Sequence, residues 1–271
     1  MLDVLYWYII RKGKSVDTLF FFSLNTLINL NLLYNTMNDI ESIVYARFRD
    51  YQEQFVNGSG RLNTIHVSDV IQECLRKSYY SAKYPKEFDD RLKGILYIGQ
   101  AVHALSKIGD IHELTMCYDF ANNKSMTMDE VKKATKDEQR YILTGTCDDV
   151  IFDDKYGAII VDKKTWSSKG WVKKEPSIEH VRQLNCYRFL LKNCHGIDAK
   201  YGCVLYLDKY TEMETPLPMM VELDNPEVTK AHIMEKISIL NDGMPEPTPC
   251  WLCNKKIVYC KYKEECDANK E

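Results

Sequence analysis

The sequence has little that would place it in a membrane or send it across one. Its most apolar stretch, residues 18–34, is interrupted by Asn25, Asn29 and Asn31, whereas a membrane-spanning helix needs about 20 mostly apolar residues. Basic residues precede this stretch, but no small-residue cleavage site follows it, which argues against a secretory signal. We therefore expect no membrane association and a cytoplasmic location.

An excess of positive charge is also missing. The formal net charge is −3, so the chain as a whole does not attract polyanions, and any nucleic-acid surface must be local. The densest basic stretch, residues 163–174, carries five lysines and two tryptophans with no acidic residue. Two interpretations stay open: a solvated loop, or a phosphate-binding track with stacking aromatic side chains.

The chain shows no internal repeat, and its 271 residues with 45% hydrophobic content suit one large domain with appendages. We expect an N-terminal helical extension over residues 1–60, a core over 61–245 and a cysteine-rich segment over 246–271. For residues 1–36 three alternatives stay open: an extra helix packed on the domain, translated sequence upstream of a true start at Met37, or a poor transmembrane helix.

Four of the ten cysteines lie close together near the end of the chain. In a reducing cytoplasm such a cluster indicates a metal site rather than disulfides. Spacing alone favours zinc over iron–sulfur, and a distant thiolate such as Cys74 could replace one of the four. The four are Cys250, Cys253, Cys260 and Cys266, in the pattern C-x2-C-x6-C-x5-C.

The order of apolar periodicities and turn signals predicts an α/β (α+β) fold, in which helices flank a central mixed sheet. Helices are predicted over residues 68–80, 91–107, 177–194 and 225–240. Strands are predicted over residues 113–120, 141–152, 158–165, 200–208 and 219–223, with a polar loop before residue 138.

Two carboxylates and an amine fall on neighbouring strands of a predicted hairpin. With the hairpin centred near Lys155, Asp148 lies opposite Asp162, since each is seven residues from the centre. Side chains alternate along a strand, so Lys164 shares a face with Asp162. This trio suits the binding of a hard divalent cation beside a phosphate group.

Two helices carry further candidates. His103 lies on the predicted helix over residues 91–107; a lone helical histidine is more often structural, but an imidazole can complete a Mn²⁺ or Mg²⁺ site made of carboxylates and water. Gln183 and Tyr187 share one face of the helix over residues 177–194. That face could orient an active site, bind DNA, or simply be half-exposed.

In chain order, four motifs resemble those of the RecB-type branch of the PD-(D/E)xK nucleases: Gly99-x3-His103, Gly145-x2-Asp148, Asp162-x-Lys164 and Gln183-x3-Tyr187. Cys74 before this core and a cysteine cluster after it are similar to the iron–sulfur subgroup. The short length and the lack of helicase motifs look most like the CRISPR-associated Cas-four exonucleases. The resemblance covers roughly residues 64–267 and implies a restriction-endonuclease-like PD-(D/E)xK core.

The resemblance also implies a role for each matching residue. His103, Asp148, Asp162 and the backbone carbonyl of Lys163 would hold the catalytic ion, and the histidine favours Mn²⁺ over Mg²⁺. Lys164 would position the attacking water and stabilise the charged transition state. Gln183 and Tyr187 would support the site and the DNA.

The family's cluster ligands correspond here to Cys74, Cys253, Cys260 and Cys266, and the family cofactor is a [4Fe–4S] cluster, which reverses the preference for zinc. The family tail reads Trp-x-Cys-x2-Cys-x5-Cys, whereas the middle spacing here is x6. That departure leaves Cys250 surplus and leaves open whether it replaces Cys253.

The function implied by the resemblance is a metal-dependent DNA exonuclease that prefers single strands or single-stranded ends. Its setting would be CRISPR spacer acquisition, trimming DNA beside the CRISPR integrase proteins. Two alternatives stay open: a stand-alone repair, replication or virus-encoded nuclease, and a non-catalytic, zinc-stabilised DNA-binding adaptor. The presence of Asp148, Asp162 and Lys164 together argues against the adaptor.

Overall fold

The computed structural model of the chain describes residues 42–44, 46–47, 62–84, 90–166, 174–208, 216–246, 260 and 262–268. The chain forms two compact units, Met1–Gly58 and Ser59–Glu271. In the first unit, residues 42–44 and 46–47 are helical. Residues 1–36 lie outside the described residues, and the division into three parts stays a prediction. None of the helices in the described ranges has the length and apolarity to span a membrane.

The second unit is an α/β fold with a seven-stranded mixed sheet flanked by helices, which confirms the predicted fold class. The strands are β1 (Ile65–His66), β2 (Ile111–Asp119), β3 (Lys124–Met126), β4 (Ile142–Asp153), β5 (Gly157–Trp166), β6 (Tyr201–Asp208) and β7 (Leu217–Glu222). The helices are α1 (Val67–Val70), α2 (Leu75–Lys83), α3 (Asp90–Leu105), α4 (Met128–Lys133), α5 (Lys136–Gln139), α6 (Ile178–His195), α7 (Pro226–Asn241) and α8 (Lys263–Ala268).

The strand order is β3-β2-β4-β5-β6-β7, with β1 paired to β4 outside this path. Neighbours along the path are antiparallel except β5 and β6, which are parallel. A parallel pair needs a long crossover connection, and α6 supplies it. Helix α6 also carries much of the core, because Leu184, Phe189 and Leu190 are fully buried against the sheet.

The β4–β5 hairpin has the predicted register. Its ladder runs from Asp153 opposite Gly157 to Asp149 opposite Val161, which centres the turn on Lys155. In the same register, Asp148 and Asp162 are the next pair beyond the end of the ladder. The predicted register is therefore confirmed as far as Asp149 opposite Val161, and its continuation places Asp148 opposite Asp162.

The sheet opens at the end of this ladder. Strand β2 pairs with one edge of β4 over Ile142–Val150, so β1 and β5 must share the other edge. On that edge β1 takes Leu143 and Thr144, while β5 begins at Asp149. Residues 145–148 therefore pair with neither strand in the described sheet, and this gap is where Asp148 lies.

Two local predictions are wrong. The helix expected over residues 68–80 is instead short α1, capped at His66, followed by extended Cys74, which caps α2. The backbone N–H of His66 donates to Asp69 Oδ2, so the N-cap lies two residues before Ser68 and the helix starts at Val67. The polar loop before residue 138 contains β3, α4 and α5. Both helices begin at capping boxes, Thr127 with Glu130 and Thr135 with Glu138, a signal readable from sequence.

Close packing explains Gly145 of the Gly-x2-Asp motif. A Cβ at this position would lie 2.6 Å from Val67 Cγ2 and 3.2 Å from Tyr187 Cε1. The glycine therefore lets α1 and α6 approach β4 three residues before Asp148. It is needed for close approach rather than for an unusual backbone conformation.

We expect Gly145→Ala to lower the free energy of unfolding by about 1–3 kcal/mol, because the added methyl group overpacks a buried contact. Gly99→Ala is the matched control: a Cβ there meets no heavy atom within 4 Å among the described residues. Alanine in that helix interior should stabilise the protein by about 0.5–1 kcal/mol. Urea unfolding of both variants measures this, and equal effects would contradict the packing argument.

Candidate active site

The side chain of Asp148 contacts both helix α3 and strand β5 at the opening in the sheet. Its Oδ2 accepts the backbone N–H of Lys163 at 2.7 Å, and its Oδ1 lies 3.0 Å from Nδ1 of His103. The β2–β4 pairing skips Asp148 and the residue opposite it, Glu113. The φ of Glu113 is 46°, in the left-handed region. Such strained positions cluster at functional sites.

Asp162 lies on the neighbouring strand with Lys164 beside it, on the predicted shared face. The ammonium of Lys164 is 2.9 Å from Oδ1 and 2.8 Å from Oδ2 of the carboxylate. Asp162 is 1% exposed. Lys164 donates a hydrogen bond to its Oδ1, whereas the contact with the buried Oδ2 is an ion pair without hydrogen-bond geometry. The side chain of Lys164 remains 23% exposed and reaches solvent.

Burial raises the pKa of Asp162 to about 6, from an ordinary value of 3.8. The ammonium of Lys164 opposes this increase, the negative charge of Asp148 adds to it, and His103 opposes it. These four residues therefore form one electrostatic site. Carboxyl groups with a strongly perturbed pKa and specific charge partners are characteristic of functional sites.

Helix α6 places Gln183 and Tyr187 beside the carboxylates. Gln183 Nε2 donates to the hydroxyl of Tyr187 at 2.7 Å. Burial raises the pKa of Tyr187, and the charges of Asp162 and Asp148 raise it further, so the phenol keeps its proton. The residues predicted for the nuclease motifs thus lie in one neighbourhood, while their catalytic roles stay predictions.

The donor chemistry of this neighbourhood suits a hard divalent ion, because two carboxylates and an imidazole are ligands that Mn²⁺ and Mg²⁺ accept. Within the part of the chain that the structure describes, no three His, Cys, Asp or Glu side chains are already arranged as a metal site. His103 contacts Asp148, and Lys164 contacts Asp162. An ion bound to Asp162 would compete with the ammonium of Lys164.

The sequence did not identify a second charged cluster behind this site. Lys163, predicted on the strand over residues 158–165 and at the start of the basic stretch, is 1% exposed and paired with buried Asp149. Neither a solvated loop nor a phosphate-binding track therefore describes Lys163. Trp166 is half-buried and meets Tyr206 edge-on, and Lys174 is exposed. The strict alternation of side chains along β5 was the signal that Lys163 faces away from Lys164.

The structure describes three of the four cysteines proposed as cluster ligands. Cys74 is buried at the start of α2, whereas Cys260 and Cys266 are half-buried near α8. The guanidinium of Arg76 donates to Pro245 O at 2.8 Å and lies 3.8 Å from the sulfur of Cys266. Helix α2 therefore packs beside α8. Cys250 and Cys253 lie outside the described residues, so the ligand set stays a prediction.

The chain is thus an α/β protein with an acidic, lysine-bearing site where a mixed sheet opens. A solved structure titled "Crystal structure of SSO0001" has the same fold, with a TM-score of 0.51 and 19% identity over 84% of this chain and 98% of that one. An alkaline exonuclease from Laribacter hongkongensis is more distant, with a TM-score of 0.36 and 11% identity over 67% and 88%. No protein-family model and no curated protein matches the chain.

We expect Asp162→Asn to stabilise the protein at pH 7.5 in the presence of a chelator. The pKa of Asp162 is higher in the folded state than in the unfolded state, so its contribution to stability falls as the pH rises through about 6. Asparagine does not titrate, and the advantage of the variant should grow between pH 4 and pH 7.5 by roughly 3 kcal/mol at most.

Urea unfolding at both pH values checks this expectation, with Asp154→Asn in the exposed hairpin turn as the matched control. The control should show no comparable trend. An Asp162→Asn advantage that shrinks as the pH rises would show that burial does not disfavour the carboxylate.

Proposed function

We propose that the protein is a metal-dependent deoxyribonuclease that hydrolyses phosphodiester bonds at the opening of the sheet. The observation that supports this most strongly is the convergence of Asp148, Asp162 and Lys164 on one site. A phosphodiester is anionic and repels hydroxide, so its hydrolysis needs positive charge beside the phosphate. Two buried carboxylates attract a divalent ion, and the lysine adds a cation of its own.

Asp148, Asp162, His103 and the backbone carbonyl of Lys163 would hold the ion, with Mn²⁺ favoured by the imidazole. When bound, it would neutralise the phosphate, lower the pKa of a water molecule and stabilise the departing oxygen. The backbone of Lys163 already contacts Asp148 through its N–H, so the carbonyl of the same residue is held near the carboxylates. Ion binding would release Lys164 from Asp162.

Lys164 would then direct its ammonium toward the reacting phosphate and the attacking water. The water oxygen forms a bond to phosphorus, one phosphorus–oxygen ester bond breaks, and the departing oxygen takes a proton. The hydrogen-bonded pair of Gln183 and Tyr187 would support the site and the DNA from the side of α6. The phenol stays neutral, so it adds no further negative charge beside the substrate.

The finer parts of the proposal come from the resemblance of the motifs. They are exonuclease action on single-stranded DNA or single-stranded ends, trimming beside the CRISPR integrase proteins in spacer acquisition, and a [4Fe–4S] cluster. The packing of α2 against α8 supports the cluster: Tyr80 donates to Glu265 O and stacks on Tyr262. A cluster on Cys74 and the C-terminal cysteines would close a long chain loop and stabilise the fold.

Asp162→Ala and Lys164→Ala should each lower Mn²⁺-dependent cleavage of labelled single-stranded DNA by about 100-fold or more, because each removes charge needed in the transition state. Lys155→Ala, in the exposed hairpin turn, is the control and should cleave normally. Matched duplex DNA should be cleaved more slowly by the native protein. Native rates in both site variants would refute the assignment.

Anaerobically purified protein should be brown and contain about four iron atoms per chain. Cys74→Ala should lose the visible absorbance and the iron, whereas Cys194→Ala should keep both, because Cys194 lies at the end of α6 and not beside the proposed ligands. Zinc in place of iron would contradict the cluster and favour a zinc-stabilised tail.

A further inference from the structure

A buried ion pair lies behind the candidate active site, on the other face of β5. Lys163 Nζ is 2.7 Å from Asp149 Oδ2, and neither side chain is more than 1% exposed. Removing two charges from water is costly, so a buried pair is weak evidence for a stabilising role. Its other contacts indicate what it does.

The ammonium of Lys163 holds the end of helix α3. Besides Asp149, it donates to the backbone carbonyl of Ser106 at 2.5 Å and contacts that of His103 at 3.4 Å. The ammonium thus makes an ion pair with one carboxylate and hydrogen bonds to two backbone carbonyls. One of these acceptors is the backbone carbonyl of His103, whose imidazole contacts Asp148.

Asp149 holds the segment that follows the helix. Its Oδ1 accepts the backbone N–H groups of Ile108 at 3.3 Å and Gly109 at 3.1 Å, and lies 2.6 Å from Nδ1 of His112. Gly109 fits tightly against β4, since a Cβ there would be 2.7 Å from Val150 O. The chain therefore leaves α3 along a fixed path, tied to the residue next to Asp148.

The contacts of Asp149 oppose the effect of its burial on its pKa. Burial alone would raise the pKa of this carboxyl, but the hydrogen bonds from Lys163, His112 and Gly109 lower it below its ordinary value.

We propose that the Asp149–Lys163 pair positions His103 in the active site by holding the C-terminal end of α3 against β4 and β5. This inference rests on the proposed function, in which His103 helps to hold the ion. Lys163 then acts on both sides of the site: its backbone N–H fixes Asp148, and its side chain fixes the backbone that carries His103. Asp149 and Lys163 are positioning residues, because their side chains do not face the reacting atoms.

The simplest alternative is that the pair only supports the fold. Removing one partner cannot decide between the two, because an unpaired buried charge destabilises any protein. Replacing both partners by apolar residues of similar size is often neutral for stability. The variant Asp149→Leu/Lys163→Met therefore keeps the core filled while removing every bond that this pair makes to the end of α3 and the segment after it.

Hydrogen exchange tests the positioning directly and does not depend on catalysis. In Asp149→Leu/Lys163→Met we expect near-native thermal stability but about tenfold or faster exchange of the amides of residues 102–109. Amides of α7 should exchange as in the native protein. A control that removes the Arg188–Asp198 ion pair, Arg188→Met/Asp198→Leu, should leave exchange at residues 102–109 unchanged. Native exchange there in Asp149→Leu/Lys163→Met would overturn the proposal.

A thermodynamic cycle then tests whether the pair acts through His103. We expect Asp149→Leu/Lys163→Met to lower kcat for Mn²⁺-dependent DNA cleavage by about tenfold or more, with KM for DNA little changed. Adding His103→Ala should cost far less in that background than in the native chain, because coupled residues are not additive. Equal costs in both backgrounds, or a native kcat in the double variant, would contradict the inference.

The two proposals fail in different ways. If the native chain does not cleave DNA with any divalent ion, the proposed function fails, while the exchange experiment still decides whether the pair holds α3. If the native chain cleaves and the double variant cleaves equally well, the function stands and the positioning role fails.

Discussion

The candidate site depends on one constraint: two strands share a single edge of β4 and do not meet. Strand β1 leaves that edge after Thr144, and β5 joins it only at Asp149. A buried backbone N–H in such a gap needs an acceptor, since unpaired buried polar groups are costly. Asp148 supplies it by accepting the N–H of Lys163 with its side chain. The carboxylate is thereby fixed beside Asp162.

The buried carboxylate of the candidate site lowers the stability of the folded protein, as charged active-site groups often do. Asp162 is almost completely buried, and its raised pKa shows that its negative charge is disfavoured there. Lys164 offsets part of this cost by direct contact with the carboxylate, and His103 offsets a smaller part. A divalent ion would offset more of it, because it carries a larger charge than either. The same electrostatic cost that weakens the fold would therefore favour ion binding.

The sequence predicted those parts that follow from regular periodicity. The β4–β5 register, the crossover helix α6 and the Asn225-capped helix α7 all follow from alternation, apolar spacing or caps. It did not predict β1, which is only two residues long and exists because β4 has a free edge. It also counted Lys163 in a basic stretch, interpreted as a solvated loop or a phosphate-binding track, because charged residues are usually exposed. Only the tertiary packing of α3 against β5 shows that this lysine is buried with Asp149.

Adjacent lysines on one strand thus have opposite environments. Lys164 faces the carboxylates and reaches solvent, whereas Lys163 faces α3 and is fully buried. This arrangement lets one strand bring reactive groups to one face and hold the supporting helix from the other. It agrees with the general need of active sites for rigid support of the groups that contact the substrate.

The most direct test of the account is the location of a bound ion. Crystals grown with Mn²⁺ and measured near the manganese absorption edge should show an anomalous peak bonded to oxygens of both Asp148 and Asp162, with Lys164 turned away from Asp162. The absence of a peak between these carboxylates at saturating Mn²⁺, with Lys164 still bound to Asp162, would contradict the claim that they form a metal site.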